Sequence, residues 1–391
     1  MPAPTAQAYH FMSFNVTILK LMGLWYENRK EDDKLRYLKI LAVFISLSPT
    51  LIPLFCEFIA VLIGKFKTSL PTFRLRQKEL ADPTPDIVYR IQVVLAEVCV
   101  LGATYILICF VRNRSDIKDL VDSIGEFKTY SDLDLIAIDQ KAMFFSKIVM
   151  GYSLSGMVIY TLSPLLSRST CELTKSQYQI NHGVPCGIIV PIRIPLDADN
   201  TLVITFWVID EVINGVVIVL VIVNITMMVC GLLEHAINQL KQVRSCVLLI
   251  SQAGDEEIEA ATRFAVRYHT KVIEFMEKLE KLNRYFGSQL VLHFTLTSIV
   301  ISLLGFEILM VSDNKESVMY ALHLIGWLIM LYTICFYGQL LIGIGDSIGI
   351  AEDAYCTPWY NSPVNIQKDI KLIMLRAQKP LTLKALNLGM V

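Results

Sequence analysis

Residues Leu202–Leu232 read LVITFWVIDEVINGVVIVLVIVNITMMVCGL, and Leu233, Ala236, Leu240, Val243 and Val247 follow at steps of three and four. A helix crosses a hydrocarbon core with about 20 apolar residues. The quoted run exceeds that length, and its continuation is apolar on one face only. The same helix should therefore leave the membrane and pack against a neighbour. A second stretch supplies one: Ile258, Ala261, Ala265, Tyr268, Val272, Phe275, Leu279, Leu282 and Phe286 form an unbroken seam of heptad type before the next apolar run. At 1.5 Å per residue this second extension is about 43 Å long. The polar segment Ser251–Glu257, with Gly254 and Asp255, reads as the turn between the two. Charged helices lying in the headgroups are the competing reading. The narrow seam and the mixed charge of the opposite faces favour packing.

The whole chain conforms. Its 391 residues are 54% hydrophobic and 18% charged, with a mean hydropathy of +0.52, which puts it in the membrane class. A net charge of -1 and the lack of a basic, aromatic-interleaved stretch argue against nucleic acid as a partner. Six runs are long enough to span: Ile40–Ile63, Val88–Val111, Ala142–Leu166, Leu202–Leu232, Leu290–Val311 and Val318–Ile344. The first contains Pro49 and Pro53 and should be kinked. The expected fold is thus an all-α membrane protein with six transmembrane helices. With the N-terminus inside, the inner segments hold 24 Lys and Arg residues and the outer loops 10, so the positive-inside rule favours a cytoplasmic N-terminus.

After the sixth span, Ser362 suits a helix N-cap and Pro363 a first helical position. Ile366, Ile370, Ile373, Met374 and Ala377 then share a face, so Lys368–Gln378 reads as an inner amphipathic helix that stops at Pro380. The organisation is one unit over 1–391. A membrane bundle covers 38–350 with inner extensions at 233–287, and an anchor helix lies within 351–391.

Enzyme signatures are nearly absent, and no cofactor or metal site is expected. GIGDSIG, Gly343–Gly349, follows an apolar helix instead of a strand, so close helix packing through Gly345 and Gly349 is its reading rather than a dinucleotide loop. The sequons at Asn15, Asn113 and Asn224 fall inside or within the bilayer and should carry no glycan. Of the nine cysteines, Cys171 and Cys186 share the one long outer loop; a disulfide there and two free thiols are the alternatives.

Glu57, Glu97, Asp210, Glu211, Asn214, His293 and Glu307 lie in spans, where a charge costs at least about 2.5 kcal/mol at the centre. They should face protein or water. Tyr89, Gln92, Ser155, Tyr160, Phe206, Trp207, Tyr320, His323 and Trp327 concentrate aromatic and polar groups in the outer halves of four spans. A mostly apolar pocket with few orienting groups suits a small volatile ligand; an interfacial aromatic belt is the other reading.

LKLMGLWY at Leu19–Tyr26 and AEDAYCTPWYNSPVNIQKDIKLIMLRAQKPLTLKA at Ala351–Ala385 resemble the insect odorant receptor family, as an odour-tuning subunit. The shared co-receptor of that family has a large insertion in the second inner loop that this chain lacks. The resemblance implies a ligand-gated, nonselective cation channel of four subunits, formed with the co-receptor in the plasma membrane of olfactory sensory neuron dendrites. It implies an odorant pocket among the outer halves of the spans. It also implies subunit contacts through a cytoplasmic anchor domain, here carried by Tyr268, Phe275, Leu279, Leu282, Trp359, Ile370 and Ile373. Family members have a seventh, pore-lining span after the motif KPLTL. The sequence here stops at LNLGMV, and the expectation is a truncated isoform or incomplete gene product without that helix. A transporter or membrane-embedded enzyme, and a non-conducting scaffold or regulatory isoform, are the competing classes.

Overall fold

The computed structural model describes residues 11–25, 37–47, 85–127, 135–173, 175, 180, 184–190, 201–254, 257–311, 314–345 and 348–378, with backbone alone for 85–90, 283–286, 288–290, 341–345 and 348. Every regular element among them is helical. In chain order they are α1 (Ser13–Leu21), α2 (Tyr37–Leu47), α3 (Pro85–Glu126), α4 (Leu135–Leu166) and α5 (Arg168–Leu173). Then come α6 (Thr201–Gln252), α7 (Ile258–Met310), α8 (Asn314–Gly345), α9 (Ile348–Cys356), the 3-10 turn Trp359–Asn361 and α10 (Val364–Ala377).

Five of these, α3, α4, α6, α7 and α8, are long and apolar enough to cross a membrane. They coincide with the second to sixth expected spans. Of the first, only residues up to Leu47 are described, as the end of α2; Pro49, Pro53 and Glu57 lie outside the described residues.

The helices outrun the bilayer as their periodicity dictates. α6 has 52 residues and α7 has 53, each about 80 Å at helical rise against a core of about 30 Å. Beyond Leu232, Leu233, Ala236, Leu240, Val243 and Val247 are all buried, and so are Ala265, Tyr268, Val272, Phe275, Leu279 and Leu282 of the α7 seam. The extensions therefore pack together rather than lie on a surface. The Tyr268 hydroxyl donates to Gln239 Oε1 between them. The turn is shorter than expected, since α6 runs through Gln252.

Two parts of this anchor end depart from expectation. α3 does not stop near Val111; it continues to Glu126. Ile117, Leu120, Val121 and Ile124 repeat at three and four and are buried, so the segment following the second span joins the packed bundle. Phe127 closes it, edge-on to Tyr268 at 6.0 Å and to Phe275 at 5.7 Å. At α10, helical geometry begins at Val364, so Pro363 rather than Ser362 takes the cap position, and no side chain caps it. The Ser362 hydroxyl is buried without a partner. The Gln367 amide instead donates to the carbonyls of Tyr360 and Ser362 at 3.1 and 2.9 Å. The face of Ile366, Ile370, Ile373 and Ala377 is buried as expected. Trp359 packs at the edge of this core, with the Lys371 ammonium 5.3 Å from its ring centre. The proposed helix stop at Pro380 lies outside the described residues.

Gly349 bears out its packing role: a Cβ there would sit 3.2 Å from the Arg244 guanidinium carbon. That guanidinium holds Asp353 of α9 through Nε at 2.7 Å and Nη2 at 3.2 Å, a fork that ties α9 to α6.

The N-terminal helix was not foreseen. α1 wedges against α4 and α6 through buried polar groups. Asn15 donates to Ser146 Oγ and to Asn224 Oδ1, both at 2.8 Å, and Asn224 returns a bond to the Asn15 carbonyl at 3.2 Å. The Met12 amide donates to Asp139 Oδ2 at 3.0 Å, and the other Asp139 oxygen pairs with His235 Nε2 at 3.1 Å. Gly231 makes the approach possible, because a Cβ there would fall 2.0 Å from Met12 Sδ. Two of the three sequons thus hold a helix in place, and the third, Asn113, bonds the Cys109 carbonyl.

Candidate functional site

The opposite end of the bundle is marked by a disulfide, Cys171–Cys186, with Cα atoms 5.9 Å apart. The bridge settles the two alternatives for these cysteines. It holds the segment Val184–Val190 against α6. Val184 and Ile188 are buried with Ile204, Trp207 and Val208, and Val93 and Ala96 of α3 pack beside them. The Glu211 carboxyl gathers this corner, accepting from the Ile189 and Val190 amides at 2.8 and 3.2 Å and from Trp207 Nε1 at 3.2 Å. Three donors on one carboxyl explain why an acidic residue persists in an otherwise apolar run.

Two sets of polar and aromatic side chains, both anchored on α8, bridge it to its neighbours. Gln92 of α3 donates to the Tyr320 hydroxyl of α8. Tyr160 of α4 meets His323 of α8, with its hydroxyl 3.0 Å from Nδ1 and the rings edge-on at 5.0 Å. Trp327 Nε1 lies 3.0 Å from His323 Nε2, and the His293 ring of α7 is 6.1 Å from that of Trp327. The arrangement fixes the histidine tautomer. An indole N–H can only donate, so Nε2 accepts and the ring proton sits on Nδ1, which donates to the Tyr160 oxygen. Tyr160 keeps its own O–H hydrogen for another acceptor.

Five of the nine sequence-identified residues, Gln92, Tyr160, Tyr320, His323 and Trp327, therefore belong to these two sets. Trp207 belongs to the neighbouring corner held by Glu211. Phe206 is 69% exposed on the helix surface, and Ser155, also exposed, bonds only back to the Tyr152 carbonyl at 2.8 Å; neither joins them. The Tyr89 side chain lies outside the described residues.

Two participants escaped sequence reasoning. The Tyr152 hydroxyl donates to the Leu322 carbonyl at 2.6 Å, tying α4 to α8. Glu307 counted only as an intramembrane acid, yet it is fully buried with neither carboxyl oxygen hydrogen-bonded. Glu97, His293 Nε2 and Thr297 Oγ1 are likewise buried and unpartnered. Among the described residues no group of His, Cys, Asp and Glu is arranged to hold a metal ion.

Comparison with known proteins gives this architecture its relatives. Odorant receptor 85b of Drosophila melanogaster is 32% identical over 120 residues, 31% of this chain and 30% of the relative. Odorant receptor 85c of the same organism is 29% identical over 137 residues, 34% of each chain. These alignments span about a third of the relatives' length. The solved insect olfactory receptor OR5 from Machilis hrabei superposes with a TM-score of 0.69 at 16% identity, covering 97% of this chain and 92% of that one. The same receptor in complex with eugenol gives 0.67 at 15%, covering 97% and 91%. At such identities the likeness establishes the fold, an all-helical multi-pass membrane architecture. The sequence profile described as 7tm Odorant receptor matches residues 90–391, well over half of the chain. The chain belongs to the 7tm odorant receptor family.

Proposed function

We propose that this chain is an odour-tuning subunit. It binds small, volatile, mostly apolar molecules at the disulfide end of the bundle. With a co-receptor subunit it forms a ligand-gated nonselective cation channel in the plasma membrane of olfactory neurons. The observation that carries the reading is the two bridges Gln92–Tyr320 and Tyr160–His323–Trp327, which join α3 and α4 to α8 through hydrogen bonds and reach α7 through His293. A molecule entering there exchanges bonds between helices for bonds to itself, and so couples occupancy to helix position.

The anchor end supports the assembly half of the reading. Tyr268, Phe275, Leu279, Leu282, Ile370 and Ile373, expected at the contacts between subunits, are buried within this chain alone and hold its own anchor together instead. Leu372 and Leu375 on the far face of α10 are 61% and 66% exposed, a surface suited to a neighbouring subunit. The cytoplasmic placement of this end follows from the Lys and Arg distribution.

The test is to express the chain with the co-receptor and record whole-cell current across a volatile panel. Dose-dependent cation current that needs both subunits is expected. Tyr160→Ala or Trp207→Ala should shift the dose–response while surface expression holds; unchanged sensitivity in both would remove these positions from the site.

A further inference from the structure

Lys147 places a charge on the membrane-facing side of α4, and its surroundings identify the counter-charge. α4 ends at Leu166, next to the α5 helix that carries Cys171 of the disulfide. Lys147 lies nineteen residues before Leu166, about 28 Å along the helix, against a hydrocarbon core of about 30 Å. Its Cα therefore stands at the inner boundary of that core. Side chains lean toward a helix N-terminus, here Leu135, so the ammonium reaches into the inner headgroup layer. Phe144, Phe145 and Ile148 around it are all exposed, so this face of α4 meets lipid.

The N-terminal helix supplies one side of the place. Asn15 bonds Ser146 of α4 at 2.8 Å, which sets Phe14 beside Lys147, the ammonium 5.7 Å from the ring centre. On the outer side, Gly151 and Ser155 follow Lys147 at steps of four, and both are exposed. A Cβ on Gly151 would meet nothing within 4 Å. The two small residues leave a shallow furrow that runs outward from the ammonium along the face of α4.

The other charges at this end of α4 are matched within the chain. Lys141 holds Glu234 Oε1 at 2.8 Å, and Asp139 holds His235 and the Met12 amide. Among the described residues no carboxylate pairs with Lys147, whose cation contact is the Phe14 ring face. A ring face attracts a cation without neutralising it. We infer that Lys147 and Phe14 bind the phosphate of an anionic phospholipid of the inner leaflet, with an acyl chain of that lipid in the furrow over Gly151 and Ser155. The cytoplasmic leaflet is the anionic one, and the Lys and Arg distribution puts this end of α4 there. A zwitterionic phospholipid brings its own ammonium to the same phosphate and leaves no net charge for the lysine. A free phosphate has no chain to fill the furrow.

The experiment uses the full chain, purified in detergent and stripped of lipid. Native mass spectrometry follows its titration with phosphatidylglycerol, with phosphatidylcholine of the same chains, and with glycerol phosphate. Phosphatidylglycerol should bind about fivefold tighter than phosphatidylcholine, the effect of one lysine near an anionic headgroup. Lys147→Gln should bring that ratio to within about twofold and Lys147→Arg should keep it. Lys368→Gln, at an exposed position of α10, should leave it unchanged. In the unmodified chain, phosphatidylglycerol with a photoreactive group in its acyl chain should label residues 147–159 of α4 or 13–21 of α1. A ratio near one, a ratio that survives Lys147→Gln, or labelling confined to other helices overturns the inference. Glycerol phosphate binding as tightly as the lipid overturns it in favour of a free-anion site.

Discussion

Glu211 offers the sharpest perturbation, because its carboxyl makes three bonds and two of them go to consecutive backbone amides of one loop. Glu211→Leu deletes the acceptors for Ile189 and Val190 at once, while the disulfide three residues before Ile189 still tethers the segment. Each lost hydrogen bond is worth about 1 kcal/mol net, so local opening of the loop becomes easier by about 2 kcal/mol. Exchange of the two amides with deuterium should accelerate about 30-fold. Glu211→Gln keeps one carbonyl acceptor but turns an N–H₂ toward a backbone donor, so it should give an intermediate rate. The measurement is hydrogen–deuterium exchange of a peptide covering 184–190, with peptides from the anchor end as internal reference. Unchanged exchange in Glu211→Leu would refute the claim that this carboxyl pins the loop. Acceleration everywhere, anchor end included, would refute it too, by showing a global loss of structure.

Three further outcomes follow from the anchor end and the α1 wedge. Phe275→Ala empties a fully packed site against Phe127 and should destabilise the anchor by about 3–5 kcal/mol, read as a lowered thermal midpoint of the purified chain. Asn224→Val leaves the Asn15 carbonyl and one amide hydrogen without their partner, so α1 should loosen by about 1–3 kcal/mol; increased proteolysis near Ser13–Leu21 is the measurement. His269 is buried beside Arg376, and burial first, with the guanidinium second, lowers its pKa from 6.5 to about 4. The folded form therefore holds it neutral while the unfolded chain takes up a proton below pH 6.5. Its contribution is intact above 6.5 and is lost, by about 3 kcal/mol, as pH falls to 4. His269→Gln should flatten the fall in thermal midpoint across that interval, and an unchanged slope would show that another group titrates.

Much of this was legible in the sequence because hydrophobic periodicity reports burial directly. The steps of three and four from Leu233 to Val247 and from Ile258 to Leu282 predicted two helices that leave the membrane, and those side chains are at the packed interface. The face of Ile366, Ile370 and Ile373 was equally readable. α3 was cut short because Arg112, Arg114 and Asp116 dilute the apolar signal where the helix emerges into water, although Ile117 to Ile124 carry the same period. α1 was missed because its contacts are polar. No periodicity says that Asn15 will find Asn224 across 209 residues of chain. The ligand residues fared in between. Aromatic content singled out Tyr160, His323 and Trp327, but the same criterion chose Phe206 and Ser155, because composition does not tell which face of a span meets lipid.

The polar residues within the spans sort by whether they are satisfied. Asn15, Ser146 and Asn224 share bonds, Asp139 holds His235 and the Met12 amide, and Glu211 holds a loop. Each repays its desolvation with partners from another element, so each is explained by the fold it maintains. Glu97 and Glu307 have no such explanation: each costs desolvation and neither carboxyl receives a hydrogen bond from the chain. A residue placed for stability alone would be better replaced there by leucine, which carries no unsatisfied group. The disulfide end therefore keeps at Glu307 a stability cost that no hydrogen bond to its carboxyl offsets.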